Sequence, residues 1–531
     1  MTMRRLQSAA VALAFGVTTA LGLAPGAAQA EKVLRIVPHA DLKNLDPIWT
    51  TAYITRNHGY MVYDTLFAVD ENLNVQPQMV GDWSVSDDGI VYTFTLRDGL
   101  MWHDGDPVTA ADCVASIQRW GKRDGMGQKL IQFTKELVAV DDKTFTLTLN
   151  EPYGLVLASL GKISSNTPFM MKQEHAEVDA FEQVPAVVGS GPFKFVKDEW
   201  VPGSKIVYVK NEDYVPRSEP ASAAAGGKVV KVDRVEWVYI PDPATTMNAL
   251  VNGEVDLWET PAVDMVPLLE NQEDIELAVI DPLGTQGWLR PNHLHFPFNH
   301  PSARKALLYA VNQEDYLRAI VGDPKLYRVC PAYFICGTPN ESSVGVEALA
   351  SVDHDKARAL LKEAGYNGEK IILMQPTDIP VLNNASLVTA QVLRDIGMDV
   401  EVQAMDWSTL TSRRAEQKAP ADGGWNIFHT YSTGADVTSP IANIGISGGG
   451  TESAWFGWPT DAKTEELRDM YAREADPAKQ KAIIDELQGR LFDEVVPYVN
   501  YGQWFQPVAW RKELSGVLVS PVPFFWNIEK N

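Results

Sequence analysis

The chain has 531 residues and a formal charge of −23. That length exceeds what one hydrophobic core organises, so two or more domains are expected. The acidity argues against nucleic acid and anionic membrane surfaces as partners and fits a soluble protein or a cationic ligand, and the glycine and proline content is that of a globular chain.

The N-terminus reads as a secretory signal. Arg4 and Arg5 form its positive region, and Ala9 to Leu23 is an apolar run too short for a comfortable membrane span. Pro25-Gly26 breaks that run, and Ala28-Gln29-Ala30 is a small-residue cleavage site. Cleavage after Ala30 starts the mature chain at Glu31, and loss of two arginines takes the charge from −23 to −25. No cysteine sits just after the site, so a lipid anchor is not expected, and no later apolar segment is long enough to span a bilayer. The product is expected to be exported, periplasmic and soluble.

Val33 to Val37 reads as a short apolar strand, Asn44 to Pro47 as a turn, and Thr50 to Leu66 as a helix with Met61, Val62 and Leu66 inward. Asp70-Glu71-Asn72-Leu73-Asn74 begins like a calcium loop. Its sixth position is Val75 and its twelfth is Gly81, which removes the tight turn and the bidentate ligand, so calcium is rejected. Val91 to Leu96 alternates apolar and hydroxyl residues, a half-buried strand. Arg97-Asp98-Gly99 turns the chain, Leu100 to Trp102 begins a second short strand, and Asp104-Gly105 turns it again. Thr109 then stands as a helix cap with Asp112 three residues on, a capping-box spacing, followed by Val114, Ile117 and Trp120 at helical intervals. His103 beside Asp104 is open to an acid–base or metal reading; the simpler one is turn chemistry.

Lys143 to Leu149 is a further alternating strand, Gly189 to Phe193 a turn entering a strand, and Lys205 to Lys210 the next one. Ser218 to Gly227 is rich in Ala and Gly and reads as a surface loop or insertion. Asp233 to Ile240 is a strand, Thr245 to Val251 a helix stopped by Asn252-Gly253, and Val255 to Trp258 a strand, an order that implies an α/β lobe. Gly287 to Pro297 reads as a crossing into a second lobe. Helices follow over Ser302 to Val311 and Asp353 to Ala364. Lys370 to Met374, Ala385 to Ile396 and Asp399 to Val402 form a βαβ unit. Trp425 to Thr430 is a strand, Glu465 to Ala472 and Ala478 to Phe492 are amphipathic helices, and Val495 to Tyr501 reads as the return to the first lobe. Cys330 and Cys336 flank a five-residue loop; in an oxidising compartment they form a disulfide, or else remain separate thiols. Cys113, on the capped helix, is expected to be buried and inert.

The stretch LRDGLMWHDGDPVTAADCVASIQRW, Leu96 to Trp120, resembles the signature block of the periplasmic solute-binding proteins of peptide, nickel and oligosaccharide ABC importers. It departs from that pattern at Cys113-Val114, where the family has Val directly after Asp. "GSGPFKF", "NEDYV", "FPFNHPSARKALLYAVNQEDYL" and "DHDKARALLKEA" resemble further family landmarks in the same order. The resemblance implies an α/β, two-lobed binding protein of the type II-like class, with an extra small subdomain in the first lobe. Its boundaries would be a signal over 1–30, lobe I over 31–286 with the subdomain at about 75–215, lobe II over 287–498, and a return to lobe I over 499–531. It implies a receptor that makes or breaks no bond, needs no cofactor, is expected to be a monomer, and delivers a peptide or cationic organic solute to ABC permease membrane subunits.

Ligands of open α/β sheets sit beyond the carboxyl ends of the strands. That rule selects Gln375 to Asp378 and Tyr431 to Asp436. If the two preceding strands are parallel, Asp378 and Asp436 emerge on one face and favour a cationic group; the alternative is that both only cap turns. "TGADVTSP" resembles the family segment in which an Asp four residues before a Pro holds a ligand ammonium, and Asp436 and Pro440 keep that spacing, with Ser439 where an acidic residue is usual. The family's carboxylate-binding Arg near Asp378 has no counterpart there, which leaves room for an amine, a guanidino compound or a modified peptide. Tyr53, on the opening segment that reaches the cleft in the family, and Trp407, Tyr431, Trp455 and Trp504 are pocket aromatics or, singly, core residues.

Two rival functions are weighed. Gly445 to Gly449 matches G-x-S-x-G around Ser447, but no strand precedes it, so the nucleophile-elbow context of a secreted hydrolase is missing. His293, His295 and His300 cluster, and the first two would share a strand face, a chelate suited to a nickel-type receptor; the alternative is polar residues that meet backbone groups.

Overall fold

The computed structural model describes residues 31–474 and 476–531. The secretory signal, with Arg4, Arg5 and the cleavage site after Ala30, lies outside those residues. Two α/β lobes make up the described chain, each built on one sheet. The lobe I sheet has seven strands in the order Ile275–Val279, Pro507–Arg511, Leu257–Trp258, Val33–Val37, Arg234–Val238, Lys205–Lys210, Phe193–Phe195. The lobe II sheet has six, Tyr327–Arg328, Val499–Trp504, Thr285–Pro291, Ile427–Thr433, Lys370–Pro376, Asp399–Met405. A separate four-stranded sheet, Val80–Val85, Val91–Leu96, Thr144–Leu149, Thr134–Ala139, forms a small outer layer on lobe I.

Thr144–Leu149 faces inward at Phe145, Leu147 and Leu149, as its alternation requires. Lys370–Pro376 pairs in parallel with Asp399–Met405, with the helix Pro380–Asp395 between them in sequence, a βαβ unit. Lys370–Pro376 is also parallel to Ile427–Thr433. Both carboxyl ends therefore point the same way, toward lobe I. The Cys330–Cys336 disulfide is formed, and Cys113 is buried, its thiol pushed well up by burial.

The signature stretch is structural. Thr109 Oγ1 accepts from the Asp112 amide at 3.3 Å while Asp112 Oδ2 accepts from the Thr109 amide at 2.8 Å, a complete capping box on the helix Ala110–Trp120. Asp112 also accepts from the Gln173 amide at 2.7 Å and from Trp102 Nε1 at 3.3 Å, so one carboxylate ties three segments together. Ile117 and Trp120 are fully buried, each worth roughly 1.5–3 kcal/mol. His103 donates from Nε2 to the Gly191 carbonyl at 3.0 Å, and burial pulls its ring down to about 4, so it is neutral at pH 7. Asp104 pairs with Lys172 at 2.7 Å. The acid–base reading of His103 and Asp104 therefore gives way to turn anchoring. Gly189 is required there, because a Cβ would lie 1.9 Å from the Val62 carbonyl oxygen.

Several sequence expectations shift. The helix expected over Thr50 to Leu66 is Tyr53–Val62. Leu100 to Trp102 makes only a single bridge, Met101 to Pro107, because the turn is too tight for a ladder. Ala223, Ala224 and Ala225 are buried, so the Ala-rich stretch is a packed segment; small side chains let the backbone enter the core. The subdomain expected up to about 215 ends earlier, since Phe193–Phe195 and Lys205–Lys210 belong to the seven-stranded sheet. Thr285–Pro291 is a central strand of lobe II, so the first crossing lies at 280–284 instead of within Gly287 to Pro297. The return comes later than 499: Val499–Trp504 is still a lobe II strand, and Pro507–Arg511 is the first back in lobe I.

Candidate functional site

The lobes meet around Asp436. This residue lies in a 3-10 turn, Gly434–Val437, directly after Ile427–Thr433. Gly434 presses on Leu283 of the crossing segment, where a Cβ would come within 2.4 Å. Asp436 is buried, and its Oδ2 accepts from Tyr53 Oη at 2.8 Å, Ser164 Oγ at 2.9 Å and Thr433 Oγ1 at 3.2 Å. Tyr53 and Ser164 come from lobe I. Among the described residues every hydrogen bond to this carboxylate ends on Oδ2, which leaves Oδ1 free to accept from a ligand. Tyr53 Oη in turn accepts from the Thr433 amide at 2.9 Å, and burial followed by the Asp436 charge pushes the phenol far up, so it remains a donor. Arg56 lies over the Tyr53 ring at 4.3 Å and donates to Ser164 Oγ at 2.6 Å.

Two cavities share this seam. A front compartment of about 40 Å³ is lined by Asp436, Tyr53, Trp407, Arg414, Tyr431 and Trp455, among others. A rear cavity of about 510 Å³ lies against both crossing segments and takes in Glu259, Asp281, Asn384, Trp504 and Gln506. His39, Tyr53 and Tyr431 line both, and the Tyr53 and Tyr431 rings stand 5.8 Å apart between them. In the rear, burial alone would raise the Glu259 carboxyl. The His39 ring, 2.8 Å away, reverses that and holds it below the usual range. At Asp281 burial outweighs the Leu283 and Gly284 amides and the Arg56 charge, and pushes the carboxyl up to about 6.

The structure thus brings Asp436, Tyr53, Tyr431, Trp407 and Trp455 to one compartment and Trp504 to the adjoining one. Asp378 is not among them. Its Oδ1 accepts from the Trp407 amide at 2.7 Å, at the start of the helix Trp407–Arg413, and it lines neither cavity. The turn-capping alternative describes it, and the pair of carboxylates facing one cleft reduces to Asp436. Arg414, just past the end of that helix, was not singled out from the sequence. It is buried, its guanidinium donates to Thr51 Oγ1 of lobe I at 3.1 Å, and burial draws it down to about 9. The Phe456, Trp455 and Trp407 rings flank it at 4.7, 5.2 and 5.6 Å.

The rival sites do not assemble. Ser447 Oγ meets Glu465 at 3.3 Å instead of a histidine. His295 donates to the Gln417 carbonyl at 2.9 Å, and His300 accepts from the Ser302 amide as a helix cap. His293 is held neutral by burial and two nearby arginines. Among the described residues no group of three His, Cys, Asp or Glu is placed to hold a metal ion.

Residues 74–455 match the family model described as bacterial extracellular solute-binding proteins, family 5, middle region. The chain belongs to that family. As a solute-binding protein it has relatives along its whole length. A probable peptide ABC transporter periplasmic-binding protein of Sinorhizobium fredii is 41% identical over 508 residues, which cover 95% of this chain and 94% of that one. The glutathione-binding protein of Escherichia coli K12 is 26% identical, covering 79% and 78%. Among solved structures, the periplasmic binding protein of A. tumefaciens R10 in complex with agropinic acid superposes with a TM-score of 0.78 at 23% identity, covering 94% of this chain and 99% of that one, and shares the two-lobed fold.

Proposed function

We propose that this solute-binding protein is the receptor of a peptide ABC importer. It closes two lobes on a small peptide-class solute, holds the cationic group of that solute on Asp436, and offers both lobes to the permease from the periplasmic side after its leader is removed. The observation that carries this is the Asp436 carboxylate, buried at the seam with Tyr53 and Ser164 of the other lobe on Oδ2 and, among the described residues, no hydrogen bond on Oδ1. The likeness to the Sinorhizobium fredii peptide receptor supports the solute class. No bond is broken in such a cycle. Closure is a hinge motion at 280–284 and 505–506, driven by the higher affinity of the closed form for solute.

Calorimetry against a panel of di- and tripeptides tests the reading. Asp436→Asn is expected to lose about 2 kcal/mol or more of affinity, because the ligand cation is left without a counter-charge. The melting temperature of the free protein stays nearly unchanged. Equal affinity in the variant rejects the role of Asp436, and a panel without a binder rejects the peptide class.

A further inference from the structure

Buried arginines in this protein are well supplied with acceptors. Arg119 meets the Asp46 carboxylate at 2.7 Å and the carbonyls of Val178, Asp179 and Glu182. Arg290 meets the carbonyls of Phe456, Gly445, Pro497 and Trp455. Arg304 meets those of Val495, Phe298 and Glu494. Arg468 contacts the Glu465 carboxylate at 2.6 Å and the Pro440 carbonyl. Where a nitrogen of Arg119 or Arg468 has no acceptor, a carboxylate is still in contact with the same guanidinium.

Arg414 breaks this rule. It is as buried as the others, yet the structure gives it one neutral hydroxyl, Thr51 Oγ1, and its Nε has no acceptor among the described residues. A charge withdrawn from water without a counter-charge costs several kcal/mol. A second donor in the same compartment is in the same position: Trp455 Nε1 is buried and unpartnered. The aromatic rings around Arg414 restrict approach to the edge of the guanidinium fork, the side on which a planar carboxylate binds through two parallel hydrogen bonds. Both unpartnered donors line the compartment that also holds Asp436.

Building on the receptor reading, we infer that Arg414 is an anion anchor, and that the solute presents a carboxylate to Arg414 and a cationic group to Asp436 from the same end. The front compartment is the small one, about 40 Å³ against about 510 Å³ in the rear, and suits a head group. The rest of the solute is left to the adjoining rear cavity of about 510 Å³, a volume in the range of small-ligand pockets, with which the front compartment shares His39, Tyr53 and Tyr431. This describes an amino-acid head with free ammonium and carboxylate, extended through its side chain. A linear peptide, in contrast, carries those charges at opposite ends.

The probe is γ-glutamylalanine, whose glutamyl end carries both charges, together with its α-carboxamide and its C-terminal amide, measured by calorimetry on the full mature protein. The parent and the C-terminal amide are expected to bind alike, and the α-carboxamide about 30-fold more weakly. In Arg414→Gln the parent drops to the level of the α-carboxamide, and Arg414→Lys recovers part of the loss. Equal binding of the two amides, or an Arg414→Gln affinity within threefold of wild type, overturns the anchor and leaves the peptide receptor standing. If the probe does not bind, acetate decides: at matched ionic strength against chloride it raises the wild-type melting temperature and not that of Arg414→Gln. That outcome keeps the anchor and overturns the shared head, whereas equal shifts overturn the anchor. Failure of every peptide overturns the receptor reading separately.

Discussion

The front compartment and the rear cavity differ in size and in how far their charged groups are engaged. The front is small, walled by Trp407, Tyr431 and Trp455, and holds Asp436 and Arg414, each with coordination left over. The rear is more than ten times larger, and its Glu259 is already engaged by His39 and by Asn57 Nδ2 at 3.2 Å. On the proposed reading, charge is read where there is little room and bulk is accommodated where there is more. The physical reason is dielectric: a charge pair is worth most where water is excluded, and the front is the smaller space.

The largest effect that tests this contrast is on stability. Arg290, which backs the front compartment and lies 5.4 Å from the Trp455 ring, is held by four carbonyls. Arg290→Ala strands those acceptors and is expected to cost about 3–5 kcal/mol in denaturant unfolding. Arg414→Gln removes a charge with little to hold it and is expected to leave the unfolding midpoint unchanged or raised. Equal losses in both would erase the distinction between a structural and a recognition arginine.

A second effect belongs to the rear. Burial pushes Asp281 up to about 6, so the folded state favours its protonated form. The penalty is absent below about 4, grows as pH rises toward 6, and is complete above that. Asp281→Asn keeps the acceptor for the Leu283 amide and has no such penalty. Its stability advantage over wild type is therefore expected to grow between those pH values and then plateau at about 3 kcal/mol, read from urea midpoints across the range. A flat difference would mean that Asp281 is well hydrated.

The smallest effect concerns the boundary between the two spaces. Tyr53→Phe keeps the ring and removes the hydroxyl that reaches Asp436. Binding of a probe peptide is expected to weaken by about 1 kcal/mol, the worth of one hydrogen bond, with the rear cavity's tolerance for larger peptides unchanged. A change in size selectivity would show that the ring, and not the hydroxyl, sets the division.

Much of the scaffold was legible because local rules decide it. Val33–Val37, Val91–Leu96 and Lys205–Lys210 fall where alternation and turn residues put them, and Thr109 with Asp112 forms the capping box that its spacing demands. Val499–Trp504 was assigned to the wrong lobe because a strand buried along its whole length carries no mark of which sheet it joins. Asp436 was legible through its place after a strand end and its family-like neighbours. Arg414 was not: its meaning rests on Thr51, 363 residues away, and on three rings brought to it by the fold. The only local hint is a doubled arginine at the end of a short helix. Asp378 misled because a carboxylate at a strand end looks the same whether it serves a backbone amide or a solute.

The three hydroxyls on Asp436 Oδ2 have a consequence for selectivity. Three neutral donors already answer part of the demand of that carboxylate. If Asp436 takes the cation of the solute, the oxygen still to be satisfied is Oδ1. A diffuse or badly aimed positive group would miss that single oxygen, so discrimination would rest on aim before strength.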